Sequence, residues 1–256
     1  MPYQNNHLSK VALRFDFDPL AELQENVQVD VRPAFTARIE DIFPHVTGQP
    51  TVNLSFNMGP TGTGMTQQVT GIQWMHRKVE NGTYVVVLAP GFLAIELGRN
   101  DYHHFAPFKE EVTKVLAAFN ASYQVPVFKR IGLRYINEIT FPQGNPCDWA
   151  GIIAPDLITA VKACTTDEMN ILRSMHQLHI RQNDSNLIFN YGLHNPDYPN
   201  TLARRAFILD YDCSQIEVAS HEVPNALVEL NSLCERMFET SIGGGLRTQM
   251  GVTNDA

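Results

Sequence analysis

The chain has 256 residues, 44% hydrophobic and 18% charged, a globular usage that excludes a disordered polymer. That length admits one large domain or two smaller ones fused. A formal charge of −8 disfavours broad electrostatic binding to nucleic acid, and no apolar run approaches the roughly 18 residues of a membrane span.

Met1 to Lys10 is polar and lacks the apolar core of a secretory signal, so a cytoplasmic protein is expected. Cys147, Cys164, Cys213 and Cys234 are dispersed without a CxxC pair. Free thiols are therefore expected, and a zinc knuckle is not.

Lys10 to Asp18 alternates Val11, Leu13, Phe15 and Phe17 with Arg14, Asp16 and Asp18, the pattern of a half-buried strand. Val31 to Phe43 carries Pro33 near its start and Phe35, Ile39 and Ile42 at helical spacing, which predicts a helix. Strands follow at Thr51 to Met58 and Val69 to Val79, with turn chemistry at Gly59 to Gly64, and at Tyr84 to Leu88 and Phe92 to Leu97 around Pro90–Gly91. Phe105 to Phe119 is an amphipathic helix. In the second half Val127 to Phe141 is a long strand and Pro155 to Cys164 a helix. Met169 to Gln182 and Asn186 to Leu193 form a strand pair, and Ala206 to Asp212 and Gln215 to Ala219 are two further strands. Val223 to Thr240 is a long helix, with Gly243–Gly244–Gly245 as its stop.

The two halves correspond. Lys10-Val11-Ala12-Leu13-Arg14-Phe15 aligns with Arg130-Ile131-Gly132-Leu133-Arg134-Tyr135, Asp18 with Glu138, and Ile95-Glu96-Leu97 with Ile216-Glu217-Val218. The expected fold is α+β: two pseudo-repeated β-α-β-β-β-α halves, residues 1–122 and 123–256. Their sheets are mainly antiparallel and backed by helices, and the halves share one core as a single globular unit.

Arg130 to Ile139, RIGLRYINEI, resembles the RxGLRYxN signature of a sporadically distributed, uncharacterised bacterial family of much the same length. Trp74, the run Leu97, Tyr102, Phe105 and Phe108, the stretch Ile208 to Asp212, and the tail Phe238, Leu246, Met250 and Gly251 extend the resemblance over nearly the whole chain. It implies a bacterial, cytoplasmic protein near defence or toxin-type genes and supplies no catalytic residues.

The chemistry-bearing clusters are sparse. Gly59 to Gly64 leads into Met65–Thr66 and another strand, whereas a phosphate loop needs Lys-Ser/Thr at a helix start. His103–His104 and His176/His179 diverge in direction and lack a third ligand nearby. Asp16/Asp18 and Asp210/Asp212 are same-face carboxylate pairs of a kind that can hold a divalent cation, with a structural role the favoured reading. Arg14 and Arg134 occupy equivalent positions beside the small residues Ala12 and Gly132, with Arg130 on the same face and Glu138 as a partner for Arg134. Two readings stand: an internal Arg–carboxylate lattice under covering helices, and a site for an anion or a partner.

No nucleophile–base set or cofactor fingerprint is present. The sequence points to a non-catalytic binding or assembly protein that requires no cofactor and takes a protein partner or a small anionic ligand. Its ligand-binding candidates are Arg14, Arg130, Arg134, Tyr135 and Asn137. The competing reading is a metal-dependent enzyme acting on a phosphorylated or nucleotide substrate, with Asp16, Asp18, Asp210 and Asp212 as metal ligands. Exposed sheet edges at Thr51 to Met58 or Asn186 to Leu193 suggest a homodimer.

Overall fold

A computed structural model describes residues 3–25, 32–59, 62–164 and 171–251. Its strands are β1 (Leu8–Asp16), β2 (His45–Gly59), β3 (Gly62–Arg77), β4 (Val85–Ala89), β5 (Phe92–Gly98), β6 (Val127–Phe141), β7 (Ser174–Gln182), β8 (Ser185–Leu193) and β9 (Arg205–Ala219). Helices α1 (Ala21–Glu25), α2 (Thr36–Ile39), α3 (Phe105–Ser122), α4 (Thr159–Cys164), α5 (Val223–Ser241) and α6 (Gly244–Met250) alternate with them. The strands form one sheet in the order β2-β3-β4-β5-β1-β6-β9-β8-β7, and every pairing is antiparallel. The architecture is thus mixed α+β, with a single continuous sheet.

The join is the pairing of β1 with β6. Leu13 faces Leu133, Val11 faces Tyr135 and Phe15 faces Ile131, so the two matching sequence stretches lie against each other. Val11, Leu13, Phe15, Ile131, Leu133 and Tyr135 all point to the helix-covered face and are buried there. One core cluster draws on both halves: Phe15 and Phe128 meet at 5.3 Å between ring centroids, and Phe119 of α3 packs on Phe17 at 5.2 Å.

Several elements depart from the periodic pattern. Of the helix expected over Val31 to Phe43, α2 spans only Thr36–Ile39, and the chain then closes in a turn in which Ile42 and Phe43 donate to the Ile39 carbonyl; Val31 itself lies outside the described residues. Four strands, not three, follow α2 in the first half. The two strands expected between Ala206 and Ala219 are one. Cys213 and Ser214 stay in register with Leu133 and Gly132, and the ladder runs through the polar stretch. Of the strand expected from Met169, β7 begins at Ser174; Met169 lies outside the described residues, as do Pro60 and Thr61 of the glycine-rich turn. The glycine run after α5 does more than stop that helix. Gly244 and Gly245 open α6, and a Cβ on Gly243 would sit 2.2 Å from the Gly151 carbonyl oxygen, so only glycine permits that approach.

His76 on β3 is wholly buried, with its edge against the Phe35 ring. The Val86 carbonyl can only accept, so Nδ1 carries the proton (3.4 Å), and Nε2 accepts from the Thr36 hydroxyl (2.9 Å). Acceptance at Nε2 needs the neutral ring, whereas the Nδ1 bond to Val86 survives protonation; burial outweighs that bond and pushes the pKa down to about 4. The unfolded chain therefore binds this proton more readily than the folded one. The stabilisation is full above pH 6.5 and is lost as pH falls towards 4, by at most about 3 kcal/mol. Urea titrations across that range are expected to show the acid-side loss in the native chain and a flatter profile in His76→Gln.

Candidate functional site

Strand alternation divides the five ligand-binding candidates between the two faces of the sheet. Arg14, Arg130 and Arg134 lie on the face away from the helices, whereas Tyr135 and Asn137 are buried on the helix side. They form two places, not one.

On the open face the arginines belong to a carboxylate lattice. Arg134 makes a two-bonded fork with Asp210 (Nε–Oδ1 and Nη2–Oδ2, both 2.7 Å), and Asn190 donates to the same carboxylate at 3.2 Å. Arg130 reaches Asp212 at 2.8 Å and Asp16 at 3.9 Å. Arg14 pairs with Asp16 at 2.7 Å and lies 3.9 Å over the Phe92 ring. The partner of Arg134 is thus Asp210 across the strand pair, not Glu138 on its own strand, and among the described residues no helix covers the lattice: Arg134 is half exposed. Asp18, at the strand end, meets Lys129 at 2.5 Å. Each carboxylate of the proposed metal set therefore already faces a cation. Among the described residues no three His, Cys, Asp or Glu side chains converge as metal ligands would.

The small residues in the motif have a physical reason. Arg14 faces Gly132 and Arg134 faces Ala12 across the β1–β6 pairing, so each arginine stands opposite a small partner. The guanidinium of Arg130 lies directly over Gly132, where a Cβ would come within 2.4 Å of Nη1.

On the helix side, where the halves meet, a cavity of about 590 Å³ opens between β6, β9, α5, the start of α3 and the N-terminal segment. Its floor is buried: Tyr102, Tyr135, Tyr211, Asn137, Asn231 and Cys234. Its rim includes the exposed His103, His104 and Glu235. The N-terminal segment closes one side. Gln4 and Asn5 donate backbone bonds to Gly251 and Met250, and the Tyr3 hydroxyl donates to Glu239 at 2.6 Å.

The floor is a directed chain of hydrogen bonds. The Tyr135 hydroxyl donates to Asn231 Oδ1 (2.9 Å), so the 3.1 Å contact with Tyr102 requires Tyr102 to donate to Tyr135. Asn137 Nδ2 donates to the Leu209 carbonyl (3.4 Å). Burial raises the pKa of Tyr102 to about 12 and holds that of Tyr135 well above the usual phenol value, so the chain is neutral and fully protonated. The Tyr211 hydroxyl is buried without a well-formed hydrogen bond. Burial raises its pKa, and nearby Ser241, whose own hydroxyl donates to Met237 O, only tempers that rise. Cys234 Sγ sits 2.8 Å from Cys213 Sγ; both are free, and burial holds the Cys234 thiol protonated and non-nucleophilic.

Sequence reasoning reached Tyr135 and Asn137 but missed Tyr102, Asn231 and Cys234. A signal was present: Asn137 interrupts the apolar face of β6 between Leu133 and Ile139, and Asn231 interrupts the apolar stripe of α5 beside Leu227 and Leu230. Two buried amides on facing apolar surfaces mark a place where polar groups must be satisfied together. The histidine pairs do not assemble. His176 stacks on Tyr191 at 5.0 Å, His179 contacts Gln177, and His103 and His104 stay at the cavity rim.

No protein-family model, curated protein or solved structure matches this chain.

Arg134→Ala leaves the nearly buried Asp210 carboxylate without its fork. The expected loss of stability is about 1–3 kcal/mol, below that of a fully buried pair because Arg134 is half exposed. Arg134→Lys keeps the charge but not both bonds and is expected to fall between the two in chemical denaturation.

Proposed function

We propose that this chain is a non-catalytic binding protein whose ligand is a small molecule held in the cavity between β6, α5 and the start of α3. The observation that carries this reading is the buried floor: a preorganised Tyr102–Tyr135–Asn231 chain, with Tyr211 beside it lacking a well-formed hydrogen bond, at the base of a ligand-sized opening. The apolar Leu8, Phe105, Phe238 and Met250 complete the lining that such a ligand requires. Membership of the sporadically distributed bacterial family, a role beside defence or toxin-type genes, a cytoplasmic location and an origin by internal duplication belong to the same proposal. The KVALRF/RIGLRY match across β1 and β6 supports the duplication. Not all of the repeat correspondence carries over, since Ile95 is buried while Ile216 is 63% exposed.

The anion-binding reading of the arginines has less support, because each arginine already holds a carboxylate. The metal-dependent alternative meets the same obstacle from the other side: a cation entering at Asp16, Asp18, Asp210 or Asp212 must displace a guanidinium or ammonium group.

Native mass spectrometry after incubation with a cellular small-molecule extract tests the site. The expected result is a retained small molecule in the native chain and its loss in Ala106→Trp, which fills the exposed rim without touching the core. No adduct, or an equal adduct in the two proteins, overturns the reading.

The chain is further proposed to pair as a symmetric homodimer through a sheet edge. The edges are β2 and β7; β8, at Asn186 to Leu193, is an interior strand, and β7 exposes Met175 and Leu178. Sedimentation equilibrium at micromolar concentration is expected to exceed the monomer mass, and a value of 28.8 kDa rules the dimer out.

A further inference from the structure

Resting on that cavity reading, we infer that the ligand is uncharged and presents a carboxamide head on an apolar body. The argument begins with the hydrogen-bonding groups left over on the floor. Asn231 accepts from Tyr135 at Oδ1, which leaves its Nδ2 as a donor with no partner among the described residues. Tyr102 donates its only hydroxyl proton to Tyr135, so Tyr102 Oη is an acceptor. Asn137 places one N–H on the Leu209 carbonyl, which leaves its second N–H and its Oδ1 acceptor. Tyr211, whose hydroxyl lacks a well-formed hydrogen bond, can serve in either sense. These groups are close together. Tyr135 bridges Tyr102 and Asn231 through contacts of 3.1 and 2.9 Å. Asn137 stands one pleat repeat, about 7 Å, along the same face of β6. The floor therefore offers donors and acceptors side by side, the complement of a head that itself carries both. In a carboxamide the carbonyl accepts from Asn231, and the NH₂ donates to the Tyr102 and Asn137 oxygens. A ligand with only one sense of hydrogen bond leaves buried groups of the floor unpaired.

Charge balance favours a neutral head. Of the two carboxylates on the lining, Glu239 holds Arg247 at 3.1 Å and the Tyr3 hydroxyl at 2.6 Å, and Glu235 already has a partner. Among the described residues the lining has no lysine or arginine, and His103 and His104 are exposed at the rim. Neither an ammonium nor a carboxylate would find a free counter-charge beside the floor, and each would lose its hydration on entry. Leu8, Phe105, Phe238 and Met250 receive the apolar body.

The test is isothermal titration calorimetry of the intact protein with probes built on one phenylethyl body: 3-phenylpropionamide, the isosteric ketone 4-phenyl-2-butanone, 3-phenylpropionate and 3-phenylpropylamine. The amide is expected to bind at least about tenfold more tightly than each of the others. Tyr102→Phe removes one acceptor and Asn137→Leu the other. Each is expected to narrow the amide-to-ketone ratio by about threefold or more while leaving ketone affinity nearly unchanged. The ratio is read within one protein, so a general loss of stability does not move it. Tyr102→Phe, which strands no donor, serves where Asn137→Leu fails to fold. An amide advantage short of about tenfold over any other probe, with binding lost in Ala106→Trp, overturns the carboxamide class and leaves the cavity reading standing. A ratio unchanged in every variant that folds also overturns that class. Binding of none of the probes, or binding that survives Ala106→Trp, overturns the cavity reading and the carboxamide class together.

Discussion

The antiparallel pairing of β1 with β6 is the constraint on which the rest of the molecule depends. It turns two groups of strands into one sheet, and its register places Leu13 against Leu133 at the middle of the core. Strand side chains alternate, so a one-residue slip would send Leu133 and Tyr135 to the open face and bring Arg134 into the core. A guanidinium there, without its carboxylate, would cost several kcal/mol, so the register is held from both faces at once. The small residues Ala12 and Gly132 make the charged side of that arrangement sterically feasible, because they leave room for the arginines opposite and alongside them.

Much of the secondary structure was legible because the forces that set it are local. The period-two alternation of β1, the apolar stripes of α3 and α5, and the Asn183–Asp184 turn between β7 and β8 follow from side-chain sequence alone. The misreadings occur where a neighbour overrides the local pattern. Cys213 and Ser214 look like a break in β9, yet Leu133 and Gly132 on β6 carry the ladder through them. Of the glycines that signal the end of α5, Gly243 and Gly245 are required by the close approach of Gly151, and the chain then turns helical again. The interior position of β8 depends on β9 pairing along the side that the β7 hairpin leaves open, a choice that strand composition does not encode.

The site was legible in a different and smaller measure. The arginine lattice was visible because Arg14 and Arg134 share a motif and a face. Its true partners were hidden because Asp210 and Asp212 reach them across a strand pairing between residues far apart in sequence. The cavity was hidden for a related reason: its floor collects Tyr102, Tyr135, Asn231 and Cys234 from separate elements. What the sequence did carry was the anomaly of Asn137 and Asn231 on otherwise apolar surfaces, where a buried amide without a partner costs more than an apolar side chain.

The two places are linked by β6 itself. Arg130, Gly132 and Arg134 on one side of that strand alternate with Leu133, Tyr135 and Asn137 on the other, so whatever fixes the first set also aims the second. Salt-bridge lattices on an open sheet face contribute little net stability when their members are half exposed. They do penalise any register that strands a carboxylate, and Asp210, nearly buried beneath Arg134 and Asn190, is the residue on which that penalty falls hardest. The lattice is best understood as a device that holds the register of β6. Its consequence on the far side of the strand is that the Tyr135 hydroxyl arrives between Tyr102 and Asn231 with one direction of proton donation available to it. The salt-bridged face of β6 thus positions the groups that line the cavity on its other face.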